Sequence, residues 1–159
     1  MILRQAEARD AAEISAFWAP MIRDTIITFS TEEKTAADVA AMIEQRGAAF
    51  IVAELDGQVV GFATFGTFRN GPGYRHSAEL TIILSDQARG KGVGRSLIAA
   101  LEEAARGQGI HVLVSGVSAE NSGAVAFHNA CGFVETGRMP EVGRKFGRWH
   151  DLVLMQKTV

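Results

Sequence analysis

The stretch Gln87-Ala88-Arg89-Gly90-Lys91-Gly92-Val93-Gly94-Arg95 constrains this chain more than any other. It lies between an apolar run, Leu80 to Leu84, and a segment from Val93 whose apolar residues recur at helical spacing. Three glycines at alternate positions leave a backbone with little side-chain cover. Glycine also accepts the positive φ that lets consecutive N–H groups converge on one point. A helix starting here adds its own unpaired N–H groups and the positive end of its dipole. Arg89, Lys91 and Arg95 add cationic charge around the same spot. A strand, turn and helix of this composition read as an anion site of phosphate or pyrophosphate size. A purely structural glycine-rich turn is the alternative.

Two commoner motifs fail on spacing. A Walker-type loop needs a glycine separated by four residues from its Gly-Lys pair and a Ser or Thr after the lysine. Here position 85 is Ser and Gly92 follows Lys91. The dinucleotide fingerprint needs G-x-G-x-x-G after a first strand, with an acid about 20 residues on. Gly90, Gly92 and Gly94 fit neither that spacing nor that place.

Bulk properties narrow the partners. The 159 residues suit one domain, 1–159, with a real core, and a net charge of −2 argues against nucleic acid as the main partner. No apolar run approaches the roughly 20 residues that span a bilayer. Arg4, Glu7, Arg9, Asp10 and Glu13 break up any signal-peptide pattern, so the expected compartment is the cytoplasm and no membrane partner is expected. Cys131 is the single cysteine, which excludes an internal disulfide and suggests no thiolate metal site; no metal is expected.

Along the chain, Ile2 to Gln5 reads as a first strand. Asp10 is the expected cap of a helix carrying Ile14, Phe17, Trp18, Met21 and Ile22. Thr25 to Phe29 is β-prone and precedes a polar turn, Ser30 to Glu33. Thr35 or Asp38 opens a second helix with Val39, Met42 and Ile43 on its apolar stripe, closed by Gly47. Phe50–Leu55 and Val59–Phe68 read as a hairpin about Asp56-Gly57. Arg69 to Gly73 is a loop and Tyr74–Leu84 the next strand. The helix from Val93 ends at Gly107 and Gly109, and His111–Val117 is a continuous apolar strand with both faces covered. Asn121 or Ser122 caps a short helix through Cys131, with Gly132 at its end. Phe133–Met139 and Arg148–Lys157 are two last strands joined by Pro140 to Gly147. The order β-α-α-β-β-β-α-β-α-β-β implies a mixed α/β sheet.

One acid stands out. Glu79 lies among Ala78, Leu80 and Ile82 in an otherwise apolar strand, where an unpaired carboxylate is costly. Burial would raise its pKa and make it a better base. Pairing of a solvent-facing Glu79 with Arg75 or His76 is the alternative. Simple alternation puts Arg75, Ser77, Glu79 and Thr81 on one face, unless a bulge intervenes.

The run Gln87-Ala88-Arg89-Gly90-Lys91-Gly92 resembles the acyl-CoA loop, [R/Q]-x-x-G-x-[G/A], of the GNAT superfamily of N-acetyltransferases. The order of elements across nearly the whole chain is also similar. The resemblance implies the GNAT fold: a mixed, partly antiparallel and partly parallel sheet of about seven strands flanked by about four helices. It implies acetyl-CoA as co-substrate, with its pyrophosphate on the loop from Arg89 to Arg95 and its pantetheine arm paired to backbone at Ile82, Ile83 and Leu84. Asn121 resembles the asparagine that touches the CoA arm, and a plain helix cap is its other reading. Many family members carry a tyrosine acid four residues before the glycine that ends this helix. His128 stands there instead, as a candidate acid or as a partly buried residue without a catalytic role.

A narrower resemblance rests on Tyr74-Arg75-His76-Ser77-Ala78-Glu79, on Gly143 to Leu152, and on Thr25-Ile26-Ile27-Thr28-Phe29. These resemble segments of the phosphinothricin and methionine sulfoximine N-acetyltransferases. The match implies a small amino-acid analogue as acceptor, Glu79 as base, His128 nearby and a homodimer. In that setting Arg75 would fork the acceptor carboxylate, and Phe29 and Tyr74 would form an apolar wall. Arg144, Lys145 and Arg148 read first as a charged hairpin surface or dimer contact. Cys131, beside a capping glycine, reads as a small core residue rather than an acyl-enzyme nucleophile. Two other functions stay open at this point: acetylation of a protein or peptide amine, and acyl-CoA binding without catalysis.

Overall fold

A computed structural model describes all 159 residues, Met1–Val159. Seven strands form one sheet: β1 (Ile2–Gln5), β2 (Phe50–Leu55), β3 (Gln58–Thr67), β4 (Ser77–Leu84), β5 (Val112–Ser118), β6 (Val134–Lys145) and β7 (Arg148–Thr158). Their spatial order is β1-β2-β3-β4-β5-β7-β6, and only β4 and β5 run parallel. Four helices cover it: α1 (Ala11–Asp24), α2 (Ala36–Arg46), α3 (Val93–Gly107) and α4 (Ser122–Ala130).

Period-two alternation in the strands sends side chains to two separate cores. Phe50, Val52, Phe62 and Ile83 meet Ile14, Trp18 and Ile22 of α1 and Val39 and Ile43 of α2. The intervening Ile51, Ala53, Ala63, Phe65 and Leu80 meet Val93, Leu97, Ile98 and Leu101 of α3 on the other face. Trp18 is a core anchor, its ring 4.9 Å from that of Phe62.

The feature that positions the site is a fork. β4 and β5 pair only at Ser77–Val112, Ala78–Leu113 and Glu79–Val114. Beyond Glu79, β4 stays laddered to β3 and β5 to β7, but the two part from each other. The β5-facing backbone groups of β4 past Glu79 therefore have no strand partner, and a wedge opens between them.

Several boundaries differ from the sequence reading. The strand expected from Tyr74 begins at Ser77, because Pro72 to Tyr74 form a 3-10 turn. The β3–β4 register runs without a bulge, so Ser77, Glu79 and Thr81 do share one face. The connector expected from Pro140 to Gly147 is mostly strand: the turn is only Phe146-Gly147, with φ of 53° and 73°. Pro140 has no N–H for the ladder, and the register slips between Met139 and Gly143. The Asp151 carboxylate accepts from the Glu141 N–H at 2.8 Å across that slip. Asp10 does not cap α1. It is buried and accepts from Arg4 at 2.7 and 2.8 Å and from the Glu7 N–H at 2.8 Å. Thr25 to Phe29 adopts no strand.

Candidate active site

The loop after β4 is built as an anion cradle. Gly90 and Gly92 take φ of 72° and 73°, which side chains other than glycine rarely adopt. The first hydrogen bond within α3 runs from Ser96 N–H to Gly92 O. The amides of Gly90, Gly92, Val93, Gly94 and Arg95 have no backbone partner and sit at the helix's positive end. Gly94 serves packing: a methyl group there would lie 3.0 Å from the Phe127 ring and 3.1 Å from Leu84. Arg89 pairs with Asp86 at 3.1 Å, while Lys91 and Arg95 are exposed beside the loop.

This cradle opens on a cavity of about 530 Å³ whose lining includes Ile82, Ile83, Leu84, Gly90, Gly92 and Asn121. It continues into a second cavity of about 270 Å³ through shared walls at Ile27, Ile82, Ile83, Asn121 and Ala124. The second cavity occupies the fork and holds Glu79, Phe29, Ser115 and His128. Asn121 caps α4, its Oδ1 accepting from Ala124 N–H at 3.1 Å, and lines both cavities. The helix-cap reading of Asn121 thus holds.

Glu79 reaches over the small residue Gly116 of β5, where a methyl group would sit 3.6 Å from Oε1. Desolvation pushes its pKa above the ordinary carboxylate value, and the charge of Arg46 opposes that rise. Neither Arg75 nor His76 pairs with it. Arg75 is exposed and donates from Nε to His76 Nε2 at 3.0 Å, while His76 Nδ1 donates to Gly109 O at 2.6 Å. Tyr74 and Arg75 line a third cavity of about 680 Å³, with Arg46 and Arg69. Phe29, Glu79 and His128 are therefore brought together, and Tyr74 and Arg75 stand in the neighbouring space.

His128 is buried. Its Nδ1 lies 2.8 Å from Ala124 O, which can only accept, so Nδ1 carries the proton. Nε2 then accepts from the Ser115 hydroxyl at 2.9 Å. Burial lowers the His128 pKa, only partly offset by the Ala124 hydrogen bond, so the ring is neutral near pH 7. As held, His128 offers the cavity a lone pair through Ser115 and no proton.

Two features were missed in the sequence. Arg46 ends a helix 33 positions before Glu79, a separation no local pattern bridges. Lys145 was read as hairpin surface but is 4% exposed. Its ammonium donates to Ile22 O at 2.5 Å and Thr28 O at 2.8 Å, tying the loop from Thr25 to Phe29 across the fork. Phe29 stacks on His150 with centroids 5.4 Å apart. A methyl group at Gly143 would lie 2.5 Å from the Phe29 ring. Cys131 lies apart from the fork, in a small cavity with Glu102 and Lys157, and burial raises its thiol pKa.

The unpaired amides, the apolar channel and the fork suit a long ligand with an anionic end and a reactive end, as acetyl-CoA is. Comparison with known proteins agrees. The model of the acetyltransferase (GNAT) family matches residues 18–133. An L-amino acid N-acyltransferase, MnaT, of Escherichia coli is 36% identical, covering 98% of this chain and 92% of the relative. An L-methionine sulfoximine/L-methionine sulfone acetyltransferase of Salmonella typhimurium is 35% identical, covering 98% and 93%. Among solved structures, a ribosomal-protein-alanine N-acetyltransferase from Brucella melitensis superposes with a TM-score of 0.94 at 38% identity, over 100% of both chains. The structure of yncA from Salmonella typhimurium with its cofactor acetyl-CoA gives 0.94 at 34% identity, over 99% and 93%. With its fork, its cradle of free amides and a family match through most of its length, this chain belongs to the GNAT family of acetyltransferases.

Proposed function

We propose that this acetyl-CoA-dependent N-acetyltransferase acetylates the α-amine of a small amino-acid analogue of the methionine sulfoximine, methionine sulfone or phosphinothricin type. The whole chain, 1–159, serves as one catalytic domain. The observation that carries the reading is the fork: a carboxylate with a raised pKa stands where β4 and β5 part, at the far end of a groove that begins in free amides. Acetyl-CoA supplies the acetyl group as an activated thioester. The amides from Gly90 to Arg95 would hold its pyrophosphate, and Ile82, Ile83, Leu84 and Asn121 its arm.

Glu79 removes a proton from the acceptor ammonium, and the freed nitrogen attacks the thioester carbonyl directly. The acyl C–S bond breaks to release the CoA thiolate, which takes up a proton, so no acyl-enzyme forms. Its raised pKa suits the task, since a base works best when its pKa nears the working pH. Phe29 closes the cavity over the acceptor, and Tyr74 and Arg75 bound the space beside it. His128 acts behind Ser115, orienting that hydroxyl and able to accept its proton. The exposed apolar residues Val142, Phe146 and Trp149 on the β6–β7 hairpin supply a surface for a homodimer.

The likeness to a ribosomal-protein-alanine N-acetyltransferase supports a second reading, acetylation of a peptide N-terminus. The size of the fork cavity and the loop fastened over it by Lys145 favour the small acceptor. Thiol release from acetyl-CoA, measured with free amino acids, methionine sulfoximine, methionine sulfone, phosphinothricin and short peptides, separates the two. Turnover is expected with the free amino-acid analogues. Turnover of peptides alone would refute the first reading.

A further inference from the structure

Arg46 is a cation in an unusual position. It is the last residue of α2, and its guanidinium lies over Gly66 of β3, where a methyl group would fall 2.9 Å from Cζ and Nη2. Its one hydrogen bond is a long one, Nη1 to Thr64 Oγ1 at 3.3 Å. A guanidinium has five N–H donors, and taking it out of water is costly unless an anion meets it. Desolvation lowers the Arg46 pKa, and it forms no ion pair within 4.0 Å. Glu79 is the cross-strand partner of Gly66, and Arg46 is the cation whose field bears on it. The two opposite charges therefore stand near each other on one face of the sheet without closing.

A gap between a carboxylate and a guanidinium fits a ligand carrying the complementary pair. A free α-amino acid bears an ammonium and a carboxylate on one carbon. With its ammonium at Glu79, its carboxylate turns toward the spare donors of Arg46, and both protein charges gain partners at once. Arg75 lines the same neighbouring cavity as Arg46 but is the poorer candidate, since it is exposed and spends Nε on His76. We propose that Arg46, held over Gly66 beside Glu79, binds the α-carboxylate of the acceptor and so selects free amino acids over peptide N-termini. The inference rests on the acetyl-transfer reading above and deepens it. A peptide N-terminal residue has an amide in place of the α-carboxylate, so it would leave Arg46 uncompensated.

The test compares methionine sulfone with its carboxamide as acceptors. In the unaltered enzyme the acid is expected to have the lower KM. Arg46→Gln should raise KM for the acid roughly tenfold to a hundredfold, the range for a hydrogen-bonded charged group, and KM for the carboxamide by about twofold at most. KM for acetyl-CoA should hold. Gly66→Ala provides an independent route, since its methyl group displaces the guanidinium without altering its charge, and should give the same acid-selective loss. Arg46→Lys should recover only part of the effect, because an ammonium lacks the planar fork. Equal losses for acid and carboxamide, or acid selectivity that vanishes in Arg75→Gln but survives in Arg46→Gln, would overturn the assignment while acetyl transfer stands. Release of no thiol with any amine, in protein shown to bind acetyl-CoA, would overturn the acetyl-transfer reading along with it.

Discussion

Glu79 and Arg46 set each other's behaviour at the scale of single residues. Burial raises the Glu79 pKa and Arg46 holds part of that rise back. Activity at low substrate should fall as pH drops through the Glu79 pKa, above the ordinary carboxylate range. Removing the cation should raise that pKa further, so Arg46→Gln moves the acidic limb of kcat/KM to higher pH. A limb that stays in place or moves down would contradict the coupling. Glu79 could be found in the sequence because a lone acid in an apolar strand violates a simple pattern. Arg46 could not, because an arginine in the last turn of a helix is ordinary there. Only the fold brings it over Gly66. Arg75 shows the converse: sequence proximity to Glu79 suggested a partner, but the turn at Pro72–Tyr74 directs it to His76.

The loop from Thr25 to Phe29 depends on other elements for its shape. It has no ladder of its own and is fastened by Lys145 and by Phe29 packed against Gly143 and His150. Lys145→Met would leave the Ile22 and Thr28 carbonyls without their donor, at a cost of about 1–3 kcal/mol. A lower Tm and a higher acceptor KM are expected, with KM for acetyl-CoA little changed. An unchanged acceptor KM would separate the loop from the acceptor site. Gly92→Ala probes the opposite end of the groove. Its φ of 73° costs an alanine about 1 kcal/mol or more, and the displaced amides should raise KM for acetyl-CoA severalfold. The succession of seven strands and four helices along the chain was legible because periodicity and turn residues are local signals. The Lys145 tie was not, since 117 positions separate it from Thr28.

Across the whole molecule, a partly buried ion cluster fastens the first strand to its neighbours. Arg4 bonds Asp10 at 2.7 Å and Glu54 at 3.1 Å, linking β1, β2 and the start of α1. Burial alone would raise the Asp10 pKa, but the Arg4 and Glu7 hydrogen bonds outweigh it and hold the group below its ordinary value. A depressed folded pKa contributes stability above the unfolded value, about 3.9, and loses it as pH falls through the folded one. Asp10→Asn should therefore lower Tm at neutral pH and weaken its fall below about pH 4. An unchanged acid profile would remove Asp10 from that role. The hairpin surface belongs to this scale too, with Trp149 57% exposed and Arg144 over its ring at 4.5 Å. If two copies meet there, Trp149→Glu should shift the protein toward monomer in analytical ultracentrifugation.

The most direct measurement for the fork as a site of proton removal is single-turnover transfer to methionine sulfone by Glu79→Gln with acetyl-CoA already bound. A positioned base is worth about 10² to 10⁴ in rate, so the variant should slow by at least about a hundredfold while its affinity for acetyl-CoA is kept. Transfer at the unaltered rate across the pH range, with acetyl-CoA bound as tightly, would contradict it.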